Sequence, residues 1–372
     1  MFTKEVKNMS NKIRFTIDED LLEAVGTVIP GEKSPISLFR GSGQPVTGET
    51  MSRIRSAGFI DESGKIKGEY QHAAETLART RCFSRLKFSA GEKIFEFIVY
   101  FPTDNSVPVS IIHNNNQLIV QEPAAFEEAF SLIDQNTGHS ILSSCTFNGE
   151  FSQHEALALF ALMDLERSTL LSGLAQESDA LNAAFDLDMV MNKITNRKEH
   201  LQSLEYVIQG RIILNTLPTQ KDLESACKTL AEKGFVVRQG EKFRLNDALY
   251  AVAGRLLIID SFVVIESGRL DESGTMSGGS FISLQAGVND LLYIEGHAEE
   301  IIVKYITGFE LMDLIGKFLS DPTIITTPEQ VQPATSAQQP AANIPGKKFC
   351  PSCGTAIQVG KKFCPQCGAK IS

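Results

Sequence analysis

Residues 48–67 read GETMSRIRSAGFIDESGKIK, and residues 222–244 read DLESACKTLAEKGFVVRQGEKFR. At an offset of 176 the two align: Met51 with Cys227, Ile54 with Leu230, Gly58-Phe59-Ile60 with Gly234-Phe235-Val236, and Gly64 with Gly240. Apolar residues spaced three or four apart predict a helix in each stretch. Gly58 and Gly234 fall where a left-handed helix cap belongs. Gly64 and Gly240 fall where a tight turn would join two short strands. Each stretch thus predicts a helical unit with a small β-wing.

The segments downstream of the two copies also agree. After the first come four apolar runs, Cys82–Phe88, Ile94–Phe101, Val107–Ile112 and Leu118–Gln121, then the helix-like AAFEEAFSLI (124–133). After the second come Leu256–Ile265, Ser280–Gln285, Asp290–Glu295 and Ile301–Ile306, then FELMDLIGKFL (309–319). In Ile94–Phe101 the residues Phe95, Phe97, Val99 and Phe101 share one face and Glu96 marks the other, which predicts a half-buried antiparallel strand. Short polar turns between runs, such as HNNN and AGVN, suit hairpins.

The expected fold class is α+β, with two related halves, each a winged helical unit, a four-strand antiparallel meander and a closing helix. The halves are expected at 1–140 and 210–320. Residues 141–209 are expected as a mostly helical bridge, with DALNAAFDLDMVMNKITNRKEHLQSLEYVI forming one or two long helices. From 321 to 345 the chain is rich in Pro, Ala, Gln and Thr without apolar periodicity. Such a stretch cannot offset its ordering entropy by burial, which predicts a disordered linker.

The 372 residues are 42% apolar and 22% charged, ordinary for a globular protein able to bury its own core. The net charge of -10 is uneven: residues 346–372 carry +5, 321–345 carry -2, and the remainder -13. An acidic body repels phosphate backbones, so protein partners are expected before nucleic acid. The basic tail leaves nucleic acid open at that end. The opening MFTKEVKNMSNKIRF lacks the apolar segment of a secretory leader. The longest apolar run, ALALFALMDLERSTLL, is interrupted by Asp164, Glu166 and Arg167, so no membrane span is expected. Four of seven cysteines sit in the tail and Cys82, Cys145 and Cys227 are scattered. That usage points to a reducing cytoplasm and to metal binding instead of disulfides.

The tail reads KKFCPSCGTAIQVGKKFCPQCG over 347–368, in which KKFCPxCG occurs twice. Cys350, Cys353, Cys364 and Cys367 have the spacing of a four-thiolate tetrahedral Zn2+ site. Gly354 and Gly368 permit the backbone twist that aims amides at the sulfurs. So short a segment has no core, and one structural zinc would supply its folding energy. Free thiols and a redox CxxC are the alternatives; the latter lacks a surrounding βαβ pattern. With the doubled CPxCG and flanking Phe349 and Phe363, residues 346–372 resemble the zinc-ribbon domain found at the ends of many bacterial and archaeal proteins. A closed four-cysteine site implies a structural metal. Lys347, Lys348, Lys361, Lys362 and Lys370 could touch nucleic acid or an acidic protein, or simply keep the ribbon soluble.

No catalytic residue is assigned. His72, His113, His139, His154, His200 and His297 form no HExxH or HxH pattern. The glycine loops RGSGQP (40–45), DESG (61–64) and SGTMSGGS (273–280) match neither a Walker loop nor GxGxxG, and the last is expected as a flexible hairpin tip. Helix, helix and wing also describe DNA readers, but 217–244 carries only six basic residues against four acids. A winged unit that docks protein is the alternative. Two related α+β halves resemble the type VII secretion-associated substrate chaperones in architecture. No motif carries that likeness, and the zinc tail departs from it. Three readings are open: a non-catalytic adaptor or chaperone-like protein with a tethered ribbon, a nucleic-acid-binding regulator, and an enzyme whose site is assembled from distant residues. The first is expected; the oligomeric state is open.

Overall fold

A computed structural model describes residues 12–39, 47–90, 93–104, 106–114, 116–138, 140–178, 182–196, 202–209, 217–297 and 300–321, and two short strands at 348–349 and 356–357. The expected linker therefore lies almost wholly outside the described residues, as do His139, His200 and the loop 40–45. The chain divides into two units, Met1–Thr327 and Pro328–Ser372.

In the first unit, β1 (Ile13–Asp18), α1 (Leu22–Val28) and α2 (Gly48–Ser56) lead to α3 (Gln71–Arg79). The meander β2 (Cys82–Ala90), β3 (Lys93–Phe101), β4 (Val109–Asn114) and β5 (Gln117–Glu122) comes next, closed by α4 (Phe126–Thr137). Then come β6 (Asn148–Phe151), α5 (Gln153–Ala175), α6 (Leu187–Thr195), α7 (Leu204–Gln209) and α8 (Gln220–Glu232). The wing β7 (Val236–Gln239) and β8 (Lys242–Leu245) precedes α9 (Asp247–Arg255). A second meander, β9 (Ser261–Leu270), β10 (Met276–Gln285), β11 (Leu291–Gly296) and β12 (Ile301–Ile306), ends in α10 (Gly308–Ser320). The order helix, wing, helix, meander, helix thus occurs twice. The first wing is reduced to the bridge between Ile60 and Ile66.

The predicted caps and turns have a physical basis. Gly58 and Gly234 lie just past α2 and α8 at φ +77° and +81°, and Gly64 and Gly240 turn the wings at φ +80° and +63°. Only glycine adopts this region without a steric penalty, of roughly 1–2 kcal/mol for other residues.

Ten strands form one sheet in the order β1-β5-β4-β3-β2-β9-β10-β11-β12-β6. The halves join where β2 pairs antiparallel with β9, setting Arg85 opposite Glu266. The sheet edges were not expected from the sequence. β1 pairs with β5 at one end, and β6 pairs with β12 at the other. Residues 141–209, expected as a bridge, therefore supply an edge strand, β6, and the central helix, α5, of the second half's core. The long helices expected there are the short α6 and α7. Phe185 exchanges backbone hydrogen bonds with Phe243 of β8, and the Asp186 side chain then caps α6 by accepting from Met189 N.

Helices cover both faces of the sheet. On one face α1–α3 enclose a core around Ile54, Leu77, Ile98, Tyr100 and Val120. Beside it, α5–α9 enclose a second around Phe160, Leu223, Leu249 and Ile282. On the opposite face α4 and α10 cover Leu86, Phe97, Ile265, Phe281 and Tyr293. Strand β3 is accordingly apolar on both faces beyond Glu96, not half-buried as its first residues imply. Each closing helix reaches into the other half. Ser84 Oγ of β2 donates to Phe318 O of α10 at 2.7 Å, and Gln285 Nε2 of β10 to Thr137 O of α4 at 3.5 Å. SGTMSGGS is a hairpin tip only at its start: Met276–Ser280 belong to β10, paired with Glu266–Leu270.

Candidate functional site

In the second unit, β13 (Lys348–Phe349) and β14 (Ala356–Ile357) pair antiparallel, Lys348 opposite Ile357 and Phe349 opposite Ala356. All four tail cysteines lie outside the described residues. The donor set fits zinc: two CxxC pairs supply four soft thiolates. Among the described residues no group of three His, Cys, Asp or Glu is arranged to hold a metal.

The body thiols differ from that set. Cys227 is buried on α8, and burial pushes its pKa up to about 12. Burial also lifts Cys82 to about 11 and raises Cys145. All three are therefore protonated, poorly nucleophilic thiols at neutral pH.

The structure brings His72 of α3, Ser106 of the β3–β4 loop and Glu122 of β5 into line. Ser106 Oγ lies 2.6 Å from His72 Nε2, and His72 Nδ1 lies 2.8 Å from Glu122 Oε1. Asp104 Oδ1 accepts from both Ser106 Oγ, at 2.5 Å, and Ser106 N, at 3.0 Å. These two bonds hold the Asp104 carboxyl below the usual carboxylate range. A hydroxyl has one proton, and the charged Asp104 takes it. His72 then donates to Ser106, the reverse of the polarity by which a base activates a serine. The group reads as a clip that pins the β3–β4 loop to α3. His113 instead joins an ionic strip on the sheet, near Glu19 at 3.3 Å and Glu96 at 3.7 Å. Arg85 lies in the same strip, 3.1 Å from Glu96 and 3.5 Å from Glu266.

The charges that interrupt the apolar run of α5 form a buried hub. Asp164 Oδ1 accepts from Arg167 Nη1 at 2.7 Å and Leu204 N at 3.1 Å. Its Oδ2 accepts from Ser203 Oγ at 3.0 Å and Glu205 N at 3.1 Å. Asp164 thereby caps α7 from a neighbouring helix, a structural duty.

A mostly apolar concave surface lies between α4 and the sheet. Phe88, Phe95, Phe97 and Ile112 form its floor, Leu132 its wall, and Glu127 and Glu128 its rim, around a volume of about 490 Å³. Phe88 and Phe95 face each other across β2 and β3, their rings stacked at 5.0 Å. The period of β3 and the paired acids of AAFEEAF are visible in the sequence, but nothing local shows that they meet.

The winged surfaces are not basic. On α8 the outward side presents Lys221, Glu224, Lys228 and Glu232, and Lys228 pairs with Glu224 at 2.6 Å. Arg53 of α2 is engaged by Asp20 at 2.7 Å and Asp18 at 3.4 Å.

Among known families, the zinc-ribbon domain matches residues 349–371, a segment that contains all four tail cysteines. That domain implies structural Zn2+ binding. Among curated proteins the chain has no match. No helix among the described residues is long and apolar enough to cross a membrane.

Proposed function

We propose that the chain is a non-catalytic adaptor, chaperone-like in that its body holds a protein client while its zinc ribbon engages a second partner. Cys350, Cys353, Cys364 and Cys367 hold one structural Zn2+, and residues 321–345 serve as the tether. The observation that carries this reading is the pairing of a zinc-ribbon domain with a separate α+β unit. A flexible linker of this length has a root-mean-square span of about 25–30 Å, which places the second contact at an effective concentration near the millimolar range. Three free body cysteines accord with a reducing cytoplasm.

The second reading, a nucleic-acid-binding regulator, draws on the five tail lysines. The mixed charge of α8 and the neutralised Arg53 argue against a contribution from the winged units. A tagged pull-down from the native cell separates the two, using the whole chain and residues 1–320, with and without nuclease. The adaptor reading expects one protein recovered by both forms and unaffected by nuclease. Recovery that vanishes with nuclease or with loss of the tail would transfer the function to nucleic-acid binding by the ribbon.

A further inference from the structure

We propose that the groove between α4 and strands β2–β4 is a docking site for an amphipathic helix with a basic polar face, supplied by a partner protein. This deepens the adaptor reading and rests on it for biological meaning, but the site can be tested separately.

The shape of the helical layer carries the first part of the argument. Among the described residues, α4 and α10 are the helices packed on this face of the sheet. Beyond α4 the sheet continues with an aromatic floor, so a further helix laid along α4 would extend the existing layer. The volume of about 490 Å³ lies in the range of specific binding clefts.

The two halves differ at this place, which argues against a mere by-product of the architecture. In the first half the β2–β3 hairpin presents the stacked Phe88 and Phe95. Toward its tip the matching hairpin of the second half carries Ser267, Gly268, Gly278, Gly279 and Ser280, with no ring among these five residues. Phe88 and Phe97 are themselves covered, so the apolar opening of the groove is made by the half-buried Phe95, Ile112 and Leu132, and apolar surface left open to water costs solvation unless something covers it.

Charge selects the occupant. Glu127 and Glu128 stand exposed on the rim, with Arg14 of β1 3.8 Å from Glu128, in a body that carries -13. An apolar stripe in the groove with Lys or Arg on the flanks satisfies both features, as in helix-in-groove recognition. The basic flank would steer association and discriminate against acidic helices.

The test uses the full-length, zinc-loaded protein and a fluorescent 16-residue helical peptide with a Leu/Phe stripe and Lys/Arg elsewhere. A peptide with Glu in place of every Lys and Arg is the control. Two variants avoid the core: Glu127→Lys with Glu128→Lys inverts the rim, and Ser131→Trp fills the groove from an exposed position on α4. Matching melting curves establish that both fold. The proposal expects saturable binding of the basic peptide, about ten-fold weaker binding by the rim variant, and loss of binding by Ser131→Trp. Equal binding of the acidic peptide, no binding at millimolar peptide, or binding indifferent to both variants would overturn it. A co-purifying lipid seen by native mass spectrometry and lost in Ser131→Trp would give the groove to a small apolar ligand. A dimer abolished by the same variant would give it to a second copy; either result overturns the proposal. If the pull-down client is recovered equally by Ser131→Trp, the groove assignment fails while the adaptor reading stands. If no form recovers a client, the adaptor reading fails and the peptide titration alone decides the groove.

Discussion

Glu166 shows what one buried side chain reports about its surroundings. It sits on α5, fully covered, and its Oε2 accepts from Ala183 N at 3.0 Å. Its Oε1 has no hydrogen-bond partner among the described residues, and burial pushes its pKa above the ordinary value of 4.5. A carboxyl with a raised native pKa holds its proton more tightly in the folded state. Its contribution to stability is complete below the unfolded pKa and fades as pH rises through the raised value. The melting temperature of the wild type minus that of Glu166→Gln should therefore fall as pH rises from about 4 through the raised value. A difference that stays flat as pH rises above about 4 would show that the carboxyl is not shifted upward. In the sequence Glu166 was only an interruption in an apolar run, because burial of a single residue depends on what packs over it.

Among the elements, α7 depends most on help from outside. It is six residues long, too short to be stable alone, and Asp164 of α5 accepts two of its first amides. Replacing Asp164 by Ala would leave Arg167 buried beside Gln202 O and Leu257 O without its carboxylate. The expected cost is about 3–5 kcal/mol, measured as a lower urea midpoint at unchanged m. A loss under about 1 kcal/mol would mean that the hub relaxes around the missing group. The meanders, α4, α8 and α10 were legible because each repeats its apolar residues at the period of its own structure. Their paired caps were legible because glycine is needed there. β6 was not, since four residues, NGEF, carry no period, and only pairing with β12 makes them a strand.

For the whole molecule, metal and core are separate sources of stability. The tail has too few residues to bury a core, whereas the body buries three apolar clusters. The zinc-loaded chain should carry one Zn2+, lost in Cys350→Ser and in Cys364→Ser. A chelator should release that metal and expose four fast-reacting thiols, while Cys82 and Cys227 react slowly and the melting temperature of the body stays the same. Full metal stoichiometry in either serine variant would overturn the ligand assignment. A body that unfolds with the chelated tail would contradict the separation of the two units.

The zinc ribbon can be read from its spacing because its whole chemistry is local: four thiols within eighteen positions need only one ion to bring them together. The α+β class and the two-half layout are equally local in origin, since helix and strand periods are written residue by residue. The sheet edges, the Asp164 hub, the His72–Ser106–Glu122 clip and the groove are not. Their members lie tens of positions apart, 34 between His72 and Ser106 and 39 between Asp164 and Ser203. They meet because β1 pairs with β5, β6 pairs with β12 and helices close over both faces of the sheet, and no local pattern encodes where two distant segments will touch.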